Sequence, residues 1–256
     1  MSLPSNVVSI LNPTIPVNQG IYEQDTTQRA KLGTRLVVGD RTFYYAKLSA
    51  SANCSGGDVL CAPQVIASHQ GAIIQAAAAT TGANTITITA GTAFTVNQYA
   101  EGYISVATGV GKGQMYRIKS HPVIATAATG VITLYDSLPA SVASGPVGFT
   151  PCLFNLVKVG SLELDVPIGV APIAVTATNY FWLQTWGPAA PRHVGATVVG
   201  GALALGTLGG LSNFITTGTL GATGSMPVDY KNIIGKNWNL AATADESNPV
   251  FLTVLP

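Results

Sequence analysis

Short runs in which apolar and polar residues alternate are frequent in this chain, and a period of two predicts β-strands. In residues 85–89 (TITIT), isoleucines share one face and threonines the other. Residues 34–47 contain two β-rich runs joined by Gly39 and Asp40, a pair suited to a two-residue hairpin turn. Because such runs recur between Gly, Pro, Ser and Asn turns, the pattern predicts an all-β fold with a sandwich or barrel-like body.

Further segments carry the strand signal, and one predicts a helix. In segment 114–119, Tyr116 and Ile118 alternate with basic residues, which predicts one buried and one exposed face. The alanine-rich segment 71–79 is predicted to be the one short helix. Together with 114–119, the segments that carry this strand signal are 103–106, 131–135, 180–186 and 250–254.

These signals divide the chain into three predicted parts. Residues 1–33 contain three prolines in their first sixteen positions and no clear periodicity, which predicts an extended arm. We expect residues 1–28 of this arm to pack on a neighbouring subunit. A β-rich lobe over 34–165 and a second over 166–256, with a glycine-rich loop, are predicted to follow.

Charged residues are unusually scarce. Only 9% of the residues are Asp, Glu, Lys or Arg, against about 25% in ordinary soluble domains. Segments 59–100 and 194–228 contain none. Because a free monomer stays soluble through interspersed surface charge, we expect these segments to lie inside the fold or under other protein. The chain is therefore predicted to be part of an assembly.

Nucleic acid and membrane partners are not expected. The formal net charge is +1, and the loose cluster of Arg29, Lys31 and Arg35 is interpreted as a solvated face. Segment 194–211 is uncharged and long enough to span a membrane. Its many glycines favour a glycine-rich loop or an extended segment covered by a partner. The first twelve residues lack signal-peptide features, so folding in a cytoplasm is expected.

Three cysteines, Cys54, Cys61 and Cys152, cannot all pair within one chain. Cys54 and Cys61 flank a Gly56-Gly57 turn, so a local disulfide between them is geometrically conceivable. Buried, reduced thiols are the favoured interpretation. Because the spacing matches neither a metal site nor a disulfide scaffold, no metal or cofactor is predicted.

Candidate catalytic residues are few and scattered. His69, His121 and His193 are each separated by more than fifty residues in the sequence. His121 precedes Pro122 at a strand end and is interpreted as a hydrogen-bonded structural histidine, not a catalytic base. Glu163 and Asp165 would share one strand face and could hold a cation, although two exposed carboxylates are the favoured interpretation.

Two further motifs have structural interpretations. The glycine run 109–113 (GVGKG) looks like a phosphate cradle, but it lies between two strand signals, which favours a hairpin turn. Asp245 and Glu246 precede the last strand and are interpreted as solvated. No catalytic site is predicted, and the chain is not expected to be an enzyme.

The most aromatic strand signal is 180–186 (YFWLQTW), which places Tyr180, Trp182, Gln184 and Trp186 on one side. Packing in the core or in a subunit interface is the favoured interpretation. Stacking on sugar rings is the alternative, as in a tail or fibre component that binds host glycan through Trp182 and Trp186.

Several segments, taken in order, resemble a family of structural head proteins from tailed bacteriophages. The matching segments are KLGTRLVVGDRTFYYAKL (31–48), EGYISVATGVGKGQMYRIKSHPVI (101–124), GVITLYDSL (130–138), IGVAPIAVTATNYFWLQTWGPA (168–189) and NPVFLTVLP (248–256). Residues 169–171, which lead into 180–182, are also similar to the β-tulip decoration proteins of lambda-like phages.

This resemblance implies a capsid decoration, or cement, protein on the exterior of the virion. Its expected partners are the major capsid protein and neighbouring copies of itself, with a trimer as one option. A major capsid protein is disfavoured because that fold needs long helices. A secreted β-rich hydrolase is disfavoured because it needs paired carboxylates and a leader.

Overall fold

The computed structural model describes residues 19–71, 73–161, 165–213, 233–239 and 245–256. These residues form an all-β protein, as the sequence predicts. The chain splits into two compact units: a sheet unit of Met1–Ala62 with Phe154–Pro256, and a barrel unit of Pro63–Leu153.

Seventeen strands and two short 3₁₀ turns, Ala67–His69 and Thr207–Gly209, make up the regular structure of the described residues. In chain order the strands are β1 (Gln24–Asp25), β2 (Arg35–Val38), β3 (Arg41–Leu48), β4 (Val59–Cys61), β5 (Ile73–Gln75), β6 (Thr85–Thr89), β7 (Tyr103–Val106), β8 (Met115–Ser120), β9 (Thr129–Leu134), β10 (Pro146–Thr150), β11 (Asn155–Val159), β12 (Pro167–Val170), β13 (Tyr180–Ala189), β14 (Ala202–Leu205), β15 (Leu211–Asn213), β16 (Ile233–Asn237) and β17 (Val250–Thr253).

The barrel unit is a closed barrel with the strand order β10-β5-β6-β9-β8-β7. Strand alternation fills its interior: Ile86 and Ile88 of β6 are fully buried, while the threonines between them lie on the outer face. In β8, Tyr116 and Ile118 are buried and the two basic residues are exposed, as predicted. One apolar cluster, with Phe94 and Phe149 among its members, forms the core of the barrel.

The sheet unit is organised around β3 and β13. β13 pairs antiparallel with β3 from Tyr180 to Trp186, and the pairings β13–β12–β4–β11–β3 close a circuit. β2 adds to β3 as the predicted hairpin, since Val38 pairs with Arg41 across the Gly39-Asp40 turn. On the other side, β17, β16, β14 and β15 extend the sheet from β13.

The units do not coincide with the lobes predicted over 34–165 and 166–256. β3 and β4 come from the first predicted lobe, yet they pair with β13 and β12 from the second. The barrel is instead a continuous segment between β4 and β11. Sequence proximity could not reveal this insertion because strand pairing is set by non-local contacts.

The predicted helix over 71–79 is wrong. Residues Ile73–Gln75 form β5, which pairs with β6 on one side and β10 on the other. A helix of nine residues has little stability in water by itself. Burial of Ile73 and Gln75 inside the barrel therefore outweighs the helical preference of the alanines.

The prediction that arm residues 1–28 pack on a neighbouring subunit is wrong for its described part. Gln24 and Asp25 form β1, which pairs with Phe181 and Tyr180 of the same chain. Residues 1–18 lie outside the described residues, so the prediction there is untested.

The glycine-rich segment 194–211 contains a strand, so the loop interpretation is wrong for Ala202–Leu205, which are extended and pair with strands of the same chain. Its residues form β14, a 3₁₀ turn at Thr207–Gly209 and the start of β15. Leu203, Leu205 and Leu211 from this part pack into an apolar cluster with β4, β12, β16 and β17. In the described part of the chain, no helix is long and apolar enough to cross a membrane.

Candidate functional site

The structure brings two of the three histidines together, although they are far apart in the sequence. His69 and His121 both lie in the core of the barrel, 1% and 3% exposed, around the rings of Phe94 and Tyr99. The His69 ring stacks on Phe94 at a centroid distance of 4.1 Å, and His121 meets Phe94 edge to face at 5.8 Å.

Every ring nitrogen in this pair has a hydrogen-bond partner. His69 Nδ1 lies 2.7 Å from Tyr99 Oη, and its Nε2 lies 2.6 Å from Thr92 Oγ1. His121 Nε2 accepts the Tyr99 backbone N–H at 3.0 Å. His121 Nδ1, 2.9 Å from the Pro122 carbonyl oxygen, must therefore donate its proton there, which fixes the ring as a neutral tautomer.

Burial disfavours charge throughout this cluster. It lowers the pKa of both His69 and His121 and raises the pKa of Tyr99 to about 12. A general base needs a path to substrate and solvent, and these rings have neither. The cluster is therefore structural, as the sequence analysis predicts for His121.

His193 lies in the sheet unit, fully buried beside a network centred on Arg192. Arg192 Nε donates to Asp58 Oδ1 at 2.9 Å, Nη1 donates to Asp245 at 2.8 Å, and Nη2 donates to the Leu208 carbonyl. Asp58 also accepts the Ser55 N–H at 2.8 Å. The prediction that Asp245 is solvated holds for its 77% exposed side chain, but the residue is also an ion-pair partner.

Close backbone packing fixes the position of Arg192. Gly57 has a φ of +88°, and a Cβ at this position would lie 2.9 Å from the Arg192 backbone nitrogen. The Arg192 N–H donates to the Gly57 carbonyl at 2.8 Å. A glycine is required here, and it places the guanidinium over Asp58.

The other predicted candidates also have structural roles. The favoured interpretation of an exposed carboxylate on a strand face is wrong for Asp165: it precedes β12, and its side chain is only 10% exposed because it forms a 2.7 Å ion pair with Lys158. Glu163 lies outside the described residues. Arg29 pairs with Asp25 at 2.7 Å on an exposed surface, as expected of a solvated face. Across the described residues, no group of three or more metal-ligating side chains is present.

The glycine run 109–113 is the turn between β7 and β8, as predicted. Gly109, Gly111 and Gly113 all have positive φ, which suits a tight connection between antiparallel strands. A phosphate cradle needs a helix N-terminus after the loop, and a strand follows here instead.

Cys54, Cys61 and Cys152 are free and buried, which confirms the favoured interpretation over a Cys54–Cys61 disulfide. Burial raises the pKa of the Cys54 thiol to about 11 and that of Cys61 to about 12. Both thiols therefore stay protonated and unreactive at neutral pH.

The two tryptophans of the aromatic strand have different environments. Trp182 is fully buried, contacts Tyr45 edge to face and donates its indole N–H to the Gln19 carbonyl at 3.0 Å. It cannot stack on a sugar. Trp186 is partly exposed and lies edge to face against Phe251, which in turn contacts Trp238. Trp238 had no strand signal of its own, and sequence reasoning missed it.

The outer surface of the barrel contains an uncharged region, here called the threonine face. It spans three adjacent strands, β5, β6 and β9, in which Ile74 pairs with Thr89 and Thr87 pairs with Val131. Ile74 is 58% exposed and Val131 is 44% exposed. The members of the threonine face are Ile74, Thr85, Thr87, Thr89, Thr129, Val131 and Thr133.

The outer surface of β8 and its neighbours is different. Arg117 forms a 2.6 Å ion pair with Glu101, and the Tyr135 hydroxyl donates to the same carboxylate. Lys119 adds a second exposed cation. This region therefore presents charged side chains to solvent, whereas no member of the threonine face is charged.

Neither a scan of family models nor searches of curated proteins and solved structures found a match. The resemblance to phage head proteins therefore stays a prediction. Among the exposed features of the described residues, two are candidate contact surfaces: the threonine face and the aromatic contact of Trp186, Phe251 and Trp238.

Proposed function

We propose that the chain is a virion structural protein that binds the outside of a phage capsid shell and stabilises it without catalysis. The threonine face of the barrel makes the contact with the shell. The observation that carries this proposal is the threonine face itself, a charge-free surface on a chain that is short of both charge and candidate catalytic groups.

The chemistry of the threonine face suits adhesion. Exposed Ile74 and Val131 supply apolar area, and the surrounding threonine hydroxyls can hydrogen-bond across an interface without burying charge. A specific contact needs about 800 Å² per partner, so the face would form the centre of a larger interface. Segment 59–100, which contributes β5 and β6, has no charged residue that would have to be desolvated.

Binding of this protein to the assembled shell would stabilise the shell by mass action. A protein that binds the assembled shell and not its dissociated subunits raises the stability of the shell by RT ln(1 + [L]/Kd). The non-enzymatic part of the proposal is supported by the structural roles of His69, His121 and Asp165.

Two measurements test the proposal. The first is fractionation of purified particles, in which the protein should be found with heads and not with tails. The second is rebinding to heads that lack it, with Ile74→Lys compared against Met115→Lys on β8. Both side chains are 58% exposed on the barrel exterior, so the pair is matched for exposure.

We expect Ile74→Lys to weaken head binding about tenfold or more, because an interface residue of this kind contributes more than about 1 kcal/mol. Met115→Lys should bind normally. Equal effects of the two substitutions would exclude the threonine face as the contact, and recovery with tails would exclude the capsid role altogether.

A further inference from the structure

Three aromatic rings line up on the surface of the sheet unit. Trp186 of β13, Phe251 of β17 and Trp238, which directly follows β16, lie at successive centroid distances of 5.7 and 6.2 Å. Each tryptophan is nearly perpendicular to the phenylalanine, at 80° and 82°. Trp238 is 60% exposed, so much of one indole is open to solvent.

Folding alone does not account for this arrangement. The fully buried tryptophan of the unit is Trp182, whereas Trp238 leaves most of its apolar surface in water. Exposed indoles lower solubility, and proteins keep few of them beyond what binding requires. Trp186 and Phe251 lie in the adjacent strands β13 and β17, and Trp238 directly follows β16, which pairs with β17, so the sheet holds the three rings in a fixed order.

Polar groups flank the rings on the same face. Lys236 is the direct cross-strand partner of Phe251, and Thr253 is the partner of Trp186. Residues directly opposite in antiparallel strands point to the same side of the sheet. Both Lys236 and Thr253 are exposed, so an ammonium lies next to the aromatic surface together with a hydroxyl oxygen, whose proton is donated to the Ile234 carbonyl at 3.5 Å.

The aromatic surface by itself has the size of a small-ligand site. A fully buried aromatic side chain contributes about 150–250 Å², and these rings already bury part of that area within the fold. What remains is well below the roughly 800 Å² per partner of a stable protein interface. Three rings flanked by hydrogen-bonding groups fit a ligand of one or two rings.

We propose that Trp186, Phe251 and Trp238 form a binding site for pyranose sugars, with Lys236 as a hydrogen-bond donor and the Thr253 hydroxyl oxygen as an acceptor. A pyranose has an apolar C–H face that stacks on an aromatic ring and hydroxyl groups around its rim. A single cation suits a neutral or acidic sugar, whereas a nucleic acid needs several phosphate contacts. This site goes beyond the proposed capsid role and does not depend on it.

The experiment is an array of neutral and acidic pyranose oligosaccharides probed with the full-length protein, followed by titration of the bound sugars using tryptophan fluorescence. The test variants are Trp238→Ala and Trp186→Ala. The matched control is Tyr22→Ala, because Tyr22 belongs to the same unit and is 59% exposed. Thermal unfolding of each variant verifies that the fold is intact.

We expect at least one class of pyranose to bind, and we expect Trp238→Ala to weaken that binding about tenfold or more, as for other ring-stacking contacts. Tyr22→Ala should bind as the parent does. Absence of binding across the array would overturn the proposal, as would binding that survives both tryptophan substitutions. Loss of head attachment in Trp238→Ala without any sugar binding would instead assign the rings to a protein contact.

Discussion

The barrel unit and the sheet unit differ in how they deal with strand edges. In the barrel every strand has two neighbours, so no row of backbone N–H and C=O groups is left open. The sheet of the other unit ends at β2 and at β15. Segment 192–194 lies along β15, since Leu211 N–H donates to the Arg192 carbonyl and Val194 N–H donates to the Leu211 carbonyl.

Single side chains hold the covering segments of the sheet unit in place. Arg192 anchors the segment along β15 through Asp58. Gln19 anchors the segment that precedes β1. Its side chain accepts a hydrogen bond from the Tyr45 hydroxyl at 2.7 Å and donates one to the Tyr180 carbonyl at 2.9 Å. The barrel relies on closure and core packing instead. We therefore expect individual polar substitutions to be more costly in the sheet unit than on the barrel.

The largest expected effect is that of Trp182→Ala. This change removes a fully buried indole and its hydrogen bond to Gln19, which should lower the free energy of unfolding by about 3–5 kcal/mol. Denaturant unfolding followed by circular dichroism measures the loss. Trp238→Ala is the control and should change stability by no more than about 0.5 kcal/mol. Similar losses in the two variants would contradict the different roles assigned to these tryptophans.

Arg192→Met comes next. Asp58, whose side chain is 7% exposed, would be left as a buried carboxylate without its cation. Loss of one partner from such a pair costs about 3 kcal/mol. The control is Arg117→Met on the barrel, where the arginine of the ion pair is 43% exposed and the expected cost is at most about 1 kcal/mol. If the barrel substitution proved the more destabilising, the contrast between the two units would be wrong.

Local patterns were sufficient to predict much of the fold. The hairpin of β2 and β3 follows from Gly39 and Asp40 between two β-rich runs, and the faces of β6 and β8 follow from simple alternation. The segment that became β5 was misassigned because three residues carry too little periodicity to outweigh their alanine neighbours. Its conformation depends on pairing with β6, the next strand, and with β10, which is distant in the sequence.

The candidate sites were less predictable for the same reason. Trp186 was visible as part of an aromatic strand, but its contact with Phe251 and Trp238 needs the pairing of β13, β17 and β16. The threonine face likewise combines β5, β6 and β9. The alternation of TITIT indicates that the threonines share one exposed face. That Val131 of β9 and Ile74 of β5 extend this face follows only from their pairing with β6.

Tyr45→Phe should have a smaller effect. The Tyr45 hydroxyl donates a hydrogen bond to the Gln19 side chain and accepts one from the Arg29 backbone N–H at 3.0 Å. Removing the hydroxyl therefore takes one hydrogen bond away from each of these groups. A loss of about 1 kcal/mol in unfolding free energy is expected. Tyr44→Phe is the control, because its hydroxyl makes one exposed bond to the Pro256 carbonyl. A loss that is no larger at Tyr45 would show that Gln19 is not an anchor.

The last prediction concerns the barrel unit and has the smallest effect at neutral pH. Protonation of His121 should make the barrel less stable in acid. Its folded pKa lies below the ordinary value of 6.5, so the unfolded chain binds a proton more readily. Barrel stability from this group is complete above pH 6.5 and falls as the pH drops from 6.5 toward the folded pKa. Protonation of Nε2 also removes the acceptor for the Tyr99 N–H.

Hydrogen exchange of the Tyr99 amide reads this event directly, because that amide donates to His121. Its protection factor, corrected for the intrinsic rate, should fall between pH 7.5 and pH 5. His121→Gln should reduce this dependence, since a glutamine carbonyl can accept the same bond without titrating, and the part that remains is assigned to His69, whose pKa burial also lowers. His193→Gln, in the sheet unit, is the control and should leave it unchanged, even though burial lowers the pKa of His193 as well. A protection factor that stays constant down to pH 5 in the parent protein would mean that the barrel core tolerates a charged His121.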